Sequence, residues 1–311
     1  MIITVTMNPA IDKTVEIDSF NHGGLNRIKK ITIDAGGKGI NVSKTIQALG
    51  GESIATGFLG GNNGNSILNQ LKEVGISTDF VKVDSETRVN TKVIEASGIV
   101  TELNESGASV SKKDIDELLL KLDCYLNEKA LLVLSGSIPS GVSKDIYKKL
   151  TEYAHEKGAT VFVDADGELF AEALKASPDI IKPNKIELEK YMGYSLESPE
   201  KIVTAGKQLV QEGVKTVIIS LGADGAYFID KKHTLYSPGL SVKAHSTVGA
   251  GDAMVAAFSY GINQGYSMEE CAKLGIATSA GAVTTVGTKP PIRTVVDGLL
   301  GQVTMVGFVE N

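Results

Sequence analysis

The segment Ser246-Thr247-Val248-Gly249-Ala250-Gly251-Asp252-Ala253-Met254-Val255-Ala256-Ala257 joins a glycine-rich turn to an apolar helix, with one carboxylate at the junction. Glycine adopts backbone conformations closed to other residues, so the N–H groups of Gly249, Ala250 and Gly251 can point into one concavity at the positive end of the helix dipole. Such a concavity holds anionic oxygens, and Asp252 beside it is suited to accept a proton from an attacking hydroxyl. The pattern indicates phosphoryl transfer, with these four residues as the catalytic group. The alternative is a plain strand-to-helix turn with an ordinary first-turn acid.

A second glycine cluster, Asp34-Ala35-Gly36-Gly37-Lys38-Gly39-Ile40-Asn41-Val42-Ser43, also precedes a helix. Apolar residues recur at helical spacing over residues 40–49, and Gly50-Gly51 ends the pattern. Neither cluster has the spacing of a P-loop, and the chain contains no GxGxxG fingerprint of dinucleotide-binding oxidoreductases. The two clusters together favour a phosphate-handling enzyme of another kind.

Residues 36–43 and 246–257 resemble the two signatures of the ribokinase-like (PfkB) carbohydrate kinases, and the resemblance extends from residues 4–12 to the region around Gly281. Within that family, residues 86–92, 100–104 and 135–142 are most similar to the 1-phosphofructokinases and next to the tagatose-6-phosphate kinases. The resemblance implies ATP-dependent phosphorylation of a ketohexose phosphate, foremost fructose 1-phosphate to fructose 1,6-bisphosphate. Tagatose 6-phosphate is the alternative substrate. A non-catalytic sugar-phosphate or nucleotide sensor on the same fold is a remote alternative, against which the intact Asp252 argues.

Alternating strand and helix patterns predict an α/β fold with a mainly parallel central sheet and helices on both faces. Strands are predicted over residues 1–6, 53–58, 130–135, 160–164, 179–181 and 215–220, and helices over residues 114–126, 144–156 and 199–212. Ligands of such sheets collect at the carboxyl ends of the strands. Without repeats or linkers, residues 1–311 are expected to form a single domain.

Two segments interrupt this alternation, at about residues 12–35 and 88–104. Residues 13–18 with 27–34, and 89–96 with 99–103, are expected to form strand pairs without an intervening helix, as a small β lid. The alternative is a pair of plain edge hairpins. The family resemblance implies a lid that closes over the sugar, and in many relatives two lids pack together in a homodimer.

Composition excludes several classes of protein. The chain of 311 residues carries a formal charge of −6, which argues against a nucleic-acid or membrane-surface binder. No apolar run reaches the ~18 residues of a membrane span, and we expect a cytoplasmic enzyme. Cys124 and Cys271 lie inside helical patterns and are expected to be buried thiols.

The sugar site is predicted from the residues near the first strand and the first glycine cluster. Asp12 follows that strand, where a carboxylate can accept hydrogen bonds from sugar hydroxyls, and a solvated turn residue is the alternative. Asn41 is expected to add a second polar contact, while Gly36 and Gly37 let the backbone approach the sugar.

Cationic side chains are expected to bind the phosphate group of the substrate. Lys38 lies inside the glycine turn, and the fork of Arg88 suits a phosphate held bidentately. Arg27 is a weaker candidate, since a solvated surface arginine is as plausible. Ser137 can reach a substrate oxygen, or it can satisfy its own turn.

Lys182-Pro183-Asn184-Lys185-Ile186-Glu187 ends a strand and starts a helix with the spacing of a capping box. In the family the Asn-x-x-Glu pattern organises Mg²⁺ near the ATP phosphates, so Glu187 and Asn184 are the metal candidates. The resemblance also implies an ATP site, formed by Lys182, Asn184, Ser220, Gly222, Ala223, Gly225 and Gly281. It places the adenine between residues 239–244 and the helix containing residues 278–282.

Overall fold

The computed structural model describes residues 1–307. The amino-terminal part contains β1 (Ile2–Thr6), β2 (Ala10–Ile17), β3 (Lys30–Gly36), α1 (Lys38–Ala48), β4 (Ser53–Leu59), α2 (Gly61–Glu73), β5 (Ser77–Thr78), β6 (Val81–Lys82), β7 (Arg88–Glu95) and β8 (Val100–Asn104). The middle part contains α3 (Lys112–Asp123), β9 (Leu131–Ser135), α4 (Ile146–Glu156), β10 (Thr160–Asp164), α5 (Gly167–Leu174), β11 (Ile180–Ile181), α6 (Lys185–Met192) and α7 (Pro199–Gln211). The remainder contains β12 (Thr216–Ser220), a 3₁₀ turn (Gly222–Asp224), β13 (Ala226–Asp230), β14 (Thr234–Ser237), α8 (Ala250–Asn263), α9 (Met268–Ala282), α10 (Arg293–Leu300) and β15 (Val306–Gly307).

The main sheet has the strand order β15-β14-β13-β12-β11-β10-β9-β1-β4-β5, and β6 pairs with the end of β4. In this order, every pair of neighbours from β12 through β11, β10, β9, β1 and β4 to β5 is parallel. On the other side of β12, the neighbours β12–β13, β13–β14 and β14–β15 are antiparallel. Each of the six predicted strands lies within one residue of an observed one. The antiparallel strands at one end of the sheet were not predicted, and they leave it mainly parallel as expected.

The central strands are apolar on both faces because helices cover both faces. Ile3 and Val5 of β1 pack into a cluster with α3, α4, α5, α6 and α7, while Ile2 packs into a second cluster with α1, α8, α9 and α10. The same division holds in β10, where Val161 and Val163 face the first cluster and Phe162 faces the second. Successive side chains of a strand point to opposite faces, so one short run of sequence serves two hydrophobic cores. The expected α/β architecture is confirmed.

A separate sheet of four strands, which we call the small sheet, has the order β3-β2-β7-β8. β2 pairs antiparallel with β3 and parallel with β7, which pairs antiparallel with β8. The expected strand pairs are therefore present, but β3 begins at Lys30, so residues 27–29 precede the strand.

Two further expectations can be compared with the described residues. Cys271 is buried, whereas Cys124 is exposed, because α3 ends before it and leaves it at the C-cap. The expectation of a buried thiol at Cys124 is wrong for that reason. Within residues 1–307, no helix combines the length and apolar character needed to cross a membrane.

Candidate active site

One large cavity, of about 720 Å³, opens at the carboxyl ends of the parallel strands and beneath the small sheet. This volume is typical of small-molecule sites. It is lined by most of the residues predicted from sequence, namely Asp12, Gly37, Lys38, Asn41, Arg88, Ser137, Lys182, Asn184, Glu187, Ser220, Gly222, Ala223, Gly225, Gly249, Ala250, Gly251 and Asp252. These residues come from opposite ends of the chain, and the parallel sheet brings them to one edge.

Asp252 lies in the first turn of α8 and is only 7% exposed. The helix can begin abruptly because Gly249 has φ 85° in the left-handed region, which glycine adopts without strain. Asn41 Nδ2 donates a hydrogen bond to Asp252 Oδ2 at 2.8 Å. Burial raises the pKa of Asp252 to about 6, although the positive charge of Lys38 opposes the rise. A carboxylate with this pKa is ionised at neutral pH and can still accept a proton.

Positive charge surrounds this end of the cavity. The backbone N–H groups of the first turn of a helix have no intrahelical acceptor, so those of Ala250 and Gly251 are available to an anion. A Cβ atom on Gly251 would lie 3.3 Å from Lys182 Nζ, so glycine at this position leaves room for the ammonium group. We call Asp252, Lys38, Lys182 and the first turn of α8 the transfer end of the cavity.

Asp164, which sequence reasoning missed, joins the two lysines of the transfer end. Its buried carboxylate lies 3.3 Å from Lys38 Nζ and 3.2 Å from Lys182 Nζ. Burial alone would raise the pKa of Asp164, but the two lysines hold it below its ordinary value. Asp164 in turn raises the pKa of Lys38. Lys38 therefore stays charged beside Asp252.

The opposite wall of the cavity is the inner face of the small sheet. Asp12 accepts a hydrogen bond from Asn90 Nδ2 at 3.3 Å, and burial raises the pKa of Asp12 against the opposing charge of Lys92. Gly36 does not line the cavity, but a Cβ atom there would overlap the carboxyl group of Asp12. Glycine at position 36 is thus needed to seat that carboxyl group.

Arg88 lies on the same wall, but its terminal nitrogens are already bonded. Nη1 donates to the carbonyl oxygen of Glu105 at 2.9 Å and Nη2 to that of Asn8 at 3.0 Å. Ser137 Oγ lies 3.5 Å from Asn8 Nδ2, at the cavity wall. Arg88 therefore ties β7 to the loop after β1, while its Nε, which has no hydrogen-bond partner within residues 1–307, and the second N–H of each terminal nitrogen remain available to a ligand.

Two other predicted site residues lie away from the cavity. Arg27 is exposed in the loop between β2 and β3 and is absent from the lining. Gly281 is buried in α9, where a Cβ atom would lie 2.9 Å from the side chain of Pro291. Ser279 and Ala280, the residues just before it, line the cavity instead.

Near the transfer end, where Glu187 interacts electrostatically with Asp164, Asn184 caps α6. Glu187 N donates to Asn184 Oδ1 at 2.9 Å, and Asn184 N donates to Glu187 Oε2 at 2.8 Å. The capping box is thus formed, and both side chains also line the cavity. Burial raises the pKa of Glu187. Beyond it, apolar side chains including Leu240, Val242, Ile276 and Val283 form a wall suited to a flat aromatic base.

Several cavity residues were missed from the sequence, namely Thr6, Asn8, Asn90, Lys92, Glu102, Asn104, Ser135 and Asp164. Five buried polar atoms on the cavity wall have no hydrogen-bond or ion-pair partner within residues 1–307, and they belong to Thr6, Asn41, Arg88, Asn90 and Ser135. Buried polar groups are normally paired, so their concentration here is typical of a site for a polar ligand. For Thr6, Ser135 and Asp164 the signal in the sequence is a polar residue at the end of a predicted strand.

Comparison with known proteins agrees with this geometry. The pattern of the pfkB family carbohydrate kinases matches residues 3–295. The chain belongs to the pfkB family. It is 36% identical over 285 residues to the 1-phosphofructokinase of Borreliella burgdorferi, covering 91% of each chain. It is 37% identical to that of Bacillus subtilis, covering 90% of this chain and 91% of the relative.

A solved structure supports the same assignment. Phosphofructokinase-2 from Escherichia coli, in complex with substrates and products, superposes with a TM-score of 0.93 at 29% identity, covering 97% of this chain and 98% of the other. A further structure of that protein is a tetrameric inhibited form. The expected class of enzyme, an ATP-dependent sugar-phosphate kinase with a ribokinase-like fold, is confirmed by these matches.

Proposed function

We propose that this chain transfers the γ-phosphoryl group of ATP to the 6-hydroxyl of fructose 1-phosphate, giving fructose 1,6-bisphosphate. The observation that carries the proposal is the buried carboxylate of Asp252, whose pKa is about 6. This carboxylate lies at a glycine-rich helix N-terminus, in a cavity that is also lined by the polar inner face of the small sheet. The names of the relatives at 36% and 37% identity support fructose 1-phosphate as the acceptor.

Asp252 acts as the general base and accepts the proton of the attacking hydroxyl. Asn41 fixes one carboxylate oxygen at 2.8 Å, so the other oxygen is directed to the substrate. The N–H groups of Gly249, Ala250, Gly251 and Asp252 stabilise the negative charge on the transferring phosphoryl group. Lys38 and Lys182 add positive charge at the same point, and Asp164 holds both in position.

Magnesium fits the donors on this wall. Mg²⁺ prefers one or two carboxylates together with water and phosphate oxygens, and within residues 1–307 no cluster of three or more His, Cys, Asp or Glu side chains forms a dedicated metal cage. Glu187 and Asn184 line the cavity and supply one carboxylate and one amide oxygen. Glu187 and Asn184 would hold the ion and its waters. Bound Mg²⁺ would neutralise charge on the ATP phosphate oxygens.

The nucleotide occupies the part of the cavity beyond the transfer end. The last residue of β12, Ser220, and the segment after it, with Gly222, Ala223 and Gly225, face the phosphates and ribose. The apolar wall near Leu240 and Val283 receives the adenine. Ser279 and Ala280 take the place expected for Gly281.

The small sheet also provides a surface for a second copy of the chain. On its outer face Ile31, Ile33 and Leu103 are 49%, 53% and 56% exposed. Apolar exposure on an edge-bearing sheet is typical of an interface, and we infer a homodimer through these residues. Analytical ultracentrifugation of wild type and Ile33→Glu tests this. A monomeric wild type over the whole concentration range would contradict it.

The first experiment is ADP release by the purified enzyme with Mg-ATP. Fructose 1-phosphate, tagatose 6-phosphate, fructose 6-phosphate and unphosphorylated fructose are compared by kcat/KM. The expected result is a clear preference for fructose 1-phosphate. Preference for tagatose 6-phosphate would retain Asp252 as base but overturn the substrate, and turnover of none would contradict the proposed activity.

A further inference from the structure

The inner face of the small sheet carries two successive rows of polar side chains across its strands. In the first row Asp12 lies opposite Asn90, which lies opposite Asn104. In the next row Lys92 lies opposite Glu102. Residues two apart on a strand share a face and are separated by about 6.6 Å, so the rows are adjacent steps along one wall. All five of these side chains line the cavity.

The two rows differ in chemistry. The first offers a carboxylate and two amides, which suit hydroxyl groups, and Asn90 Oδ1 has no hydrogen-bond partner within the described chain. The second offers an ammonium group, which suits an anion. A ligand that carries hydroxyl groups next to a phosphate matches this order.

Four cationic side chains line the cavity within residues 1–307, and three of them contact groups outside the two polar rows. Lys38 and Lys182 both contact Asp164 at the transfer end. Arg88 donates from both terminal nitrogens to backbone carbonyl oxygens. The fourth, Lys92, lies on the inner face of the small sheet.

Lys92 is held loosely by its own partner. Its Nζ lies 3.6 Å from Glu102 Oε1, which is beyond normal hydrogen-bond distance. The lysine side chain is 15% exposed and the glutamate side chain 42% exposed. The carboxylate can therefore turn into solvent, while the ammonium group stays at the wall. A phosphate of charge near −2 attracts that ammonium more strongly than a single carboxylate does.

We propose that Lys92 binds the phosphate group of the sugar phosphate, and that Glu102 holds Lys92 in the free enzyme and releases it to that phosphate. This proposal rests on the proposed function and names the residues that select a phosphorylated sugar. An unphosphorylated ketohexose has no anionic group that could replace the carboxylate of Glu102 beside Lys92. It therefore leaves the Lys92–Glu102 ion pair intact, and Lys92 does not increase its affinity.

The test compares Lys92→Met and Glu102→Gln with a matched control on the same sheet. Lys30 and Glu16 form another cross-strand ion pair, at 3.1 Å, but neither residue lines the cavity. Kinetics of each variant are measured with fructose 1-phosphate, unphosphorylated fructose and ATP. Calorimetric titration with fructose 1-phosphate gives binding without turnover, and circular dichroism checks the fold.

For Lys92→Met we expect KM for fructose 1-phosphate to rise at least about tenfold, as loss of a charged hydrogen bond does. We expect KM for ATP and kcat/KM for fructose to stay within about twofold. For Glu102→Gln the KM for fructose 1-phosphate is expected to fall, since the competing carboxylate is removed. Lys30→Met should have the wild-type KM for fructose 1-phosphate, KM for ATP and kcat/KM for fructose.

The preference for phosphorylated over unphosphorylated sugar decides the outcome. If Lys92→Met folds and keeps that preference, the role of Lys92 is overturned. If Glu102→Gln raises KM for fructose 1-phosphate and for fructose alike, Glu102 is a sugar ligand and its proposed release is overturned. A wild type that prefers a different sugar phosphate would overturn the proposed function instead, and the same variants then test Lys92 with that substrate.

Discussion

Replacing Asp252 by asparagine should nearly abolish turnover while making the protein more stable. The substitution keeps the shape of the side chain and its acceptor for Asn41 Nδ2, so packing around α8 is retained. It removes the base, and loss of a general base lowers kcat by at least about 100-fold. It also removes a charge that folding has buried.

The size of the stability gain follows from the pKa. Burial raises the pKa of Asp252 from an ordinary 3.8 to about 6, so the folded protein binds this proton more tightly than the unfolded chain does. The ionised carboxylate therefore lowers stability increasingly from about pH 4 to pH 6, and by a constant amount above that. About two pKa units at about 1.4 kcal/mol each give about 3 kcal/mol at pH 8. The lysines nearby do not lose their only partner, because Asp164 contacts both.

The assay is urea denaturation of wild type and Asp252→Asn at pH 8 and at the lowest pH that both tolerate, together with kcat for ADP release. The difference in free energy of unfolding should be largest at pH 8 and should shrink as the pH falls toward 4. Asp179→Asn is the matched control. Although burial acts to raise it, bonds from Lys215, the Val161 amide and His155 keep the pKa of Asp179 below its ordinary value, so this substitution should destabilise the protein at pH 8.

Two results would refute the reasoning about Asp252. If Asp252→Asn keeps more than a tenth of wild-type kcat, the carboxylate is not the base. If the variant unfolds more easily than wild type at pH 8, the carboxylate is stabilised in the cavity instead of being strained there.

Three further predictions concern the same cavity. First, kcat/KM for the sugar phosphate should fall about tenfold per pH unit below pH 6, because protonated Asp252 cannot accept a proton; a profile flat down to pH 5 would contradict the pKa of about 6. Second, Gly36→Ala should displace the Asp12 carboxyl group, which raises KM for the sugar phosphate at least about tenfold and leaves KM for ATP unchanged. The control Gly298→Ala should match wild type, because a Cβ atom there meets nothing within 4 Å. Equal KM values for the sugar phosphate in the two variants would exclude a sugar contact at Asp12. Third, Glu187→Gln should preserve the capping box but raise the Mg²⁺ concentration needed for half-maximal rate several-fold, and an unchanged Mg²⁺ titration would remove Glu187 from the metal site.

Local sequence predicted those parts of the fold that local chemistry determines. The central parallel strands are short apolar runs, because both of their faces are buried, and such runs are visible in one sequence. The strands β13 and β14 are equally short but were not recognised in the sequence. The strand β15 has only two residues, and three helices separate it along the chain from its partner β14. Strand pairing of that kind depends on contacts far apart in the chain.

The same distinction separates the site residues that were predicted from those that were missed. Asp252 and Asn41 lie in the first turns of helices that follow glycine-rich turns, whose backbone requirement leaves a recognisable pattern. Their hydrogen bond joins residues 211 positions apart, yet each turn indicated an anion or sugar contact independently. Arg88 was assigned from its chemistry alone; it lines the cavity, and two of its N–H groups donate to backbone carbonyls, a positioning role that the sequence did not indicate.

Lys92 and Asp164 required information about which strands are neighbours. Asp164 is the last residue of a strand that the sequence predicted correctly, and the carboxyl edge of a parallel sheet is where such an acid meets ligands. Its partner Lys38 is 126 positions away, so the sequence gives no sign that a lysine of one motif faces it. Lys92 is similar, since its place next to the row of Asp12 follows from the parallel register of β2 and β7. A shift of that register by one residue would turn Lys92 to the outer face of the small sheet and bring Val93 to the inner face. Selection of a charged substrate in this enzyme therefore depends on strand register as much as on the identity of the residues.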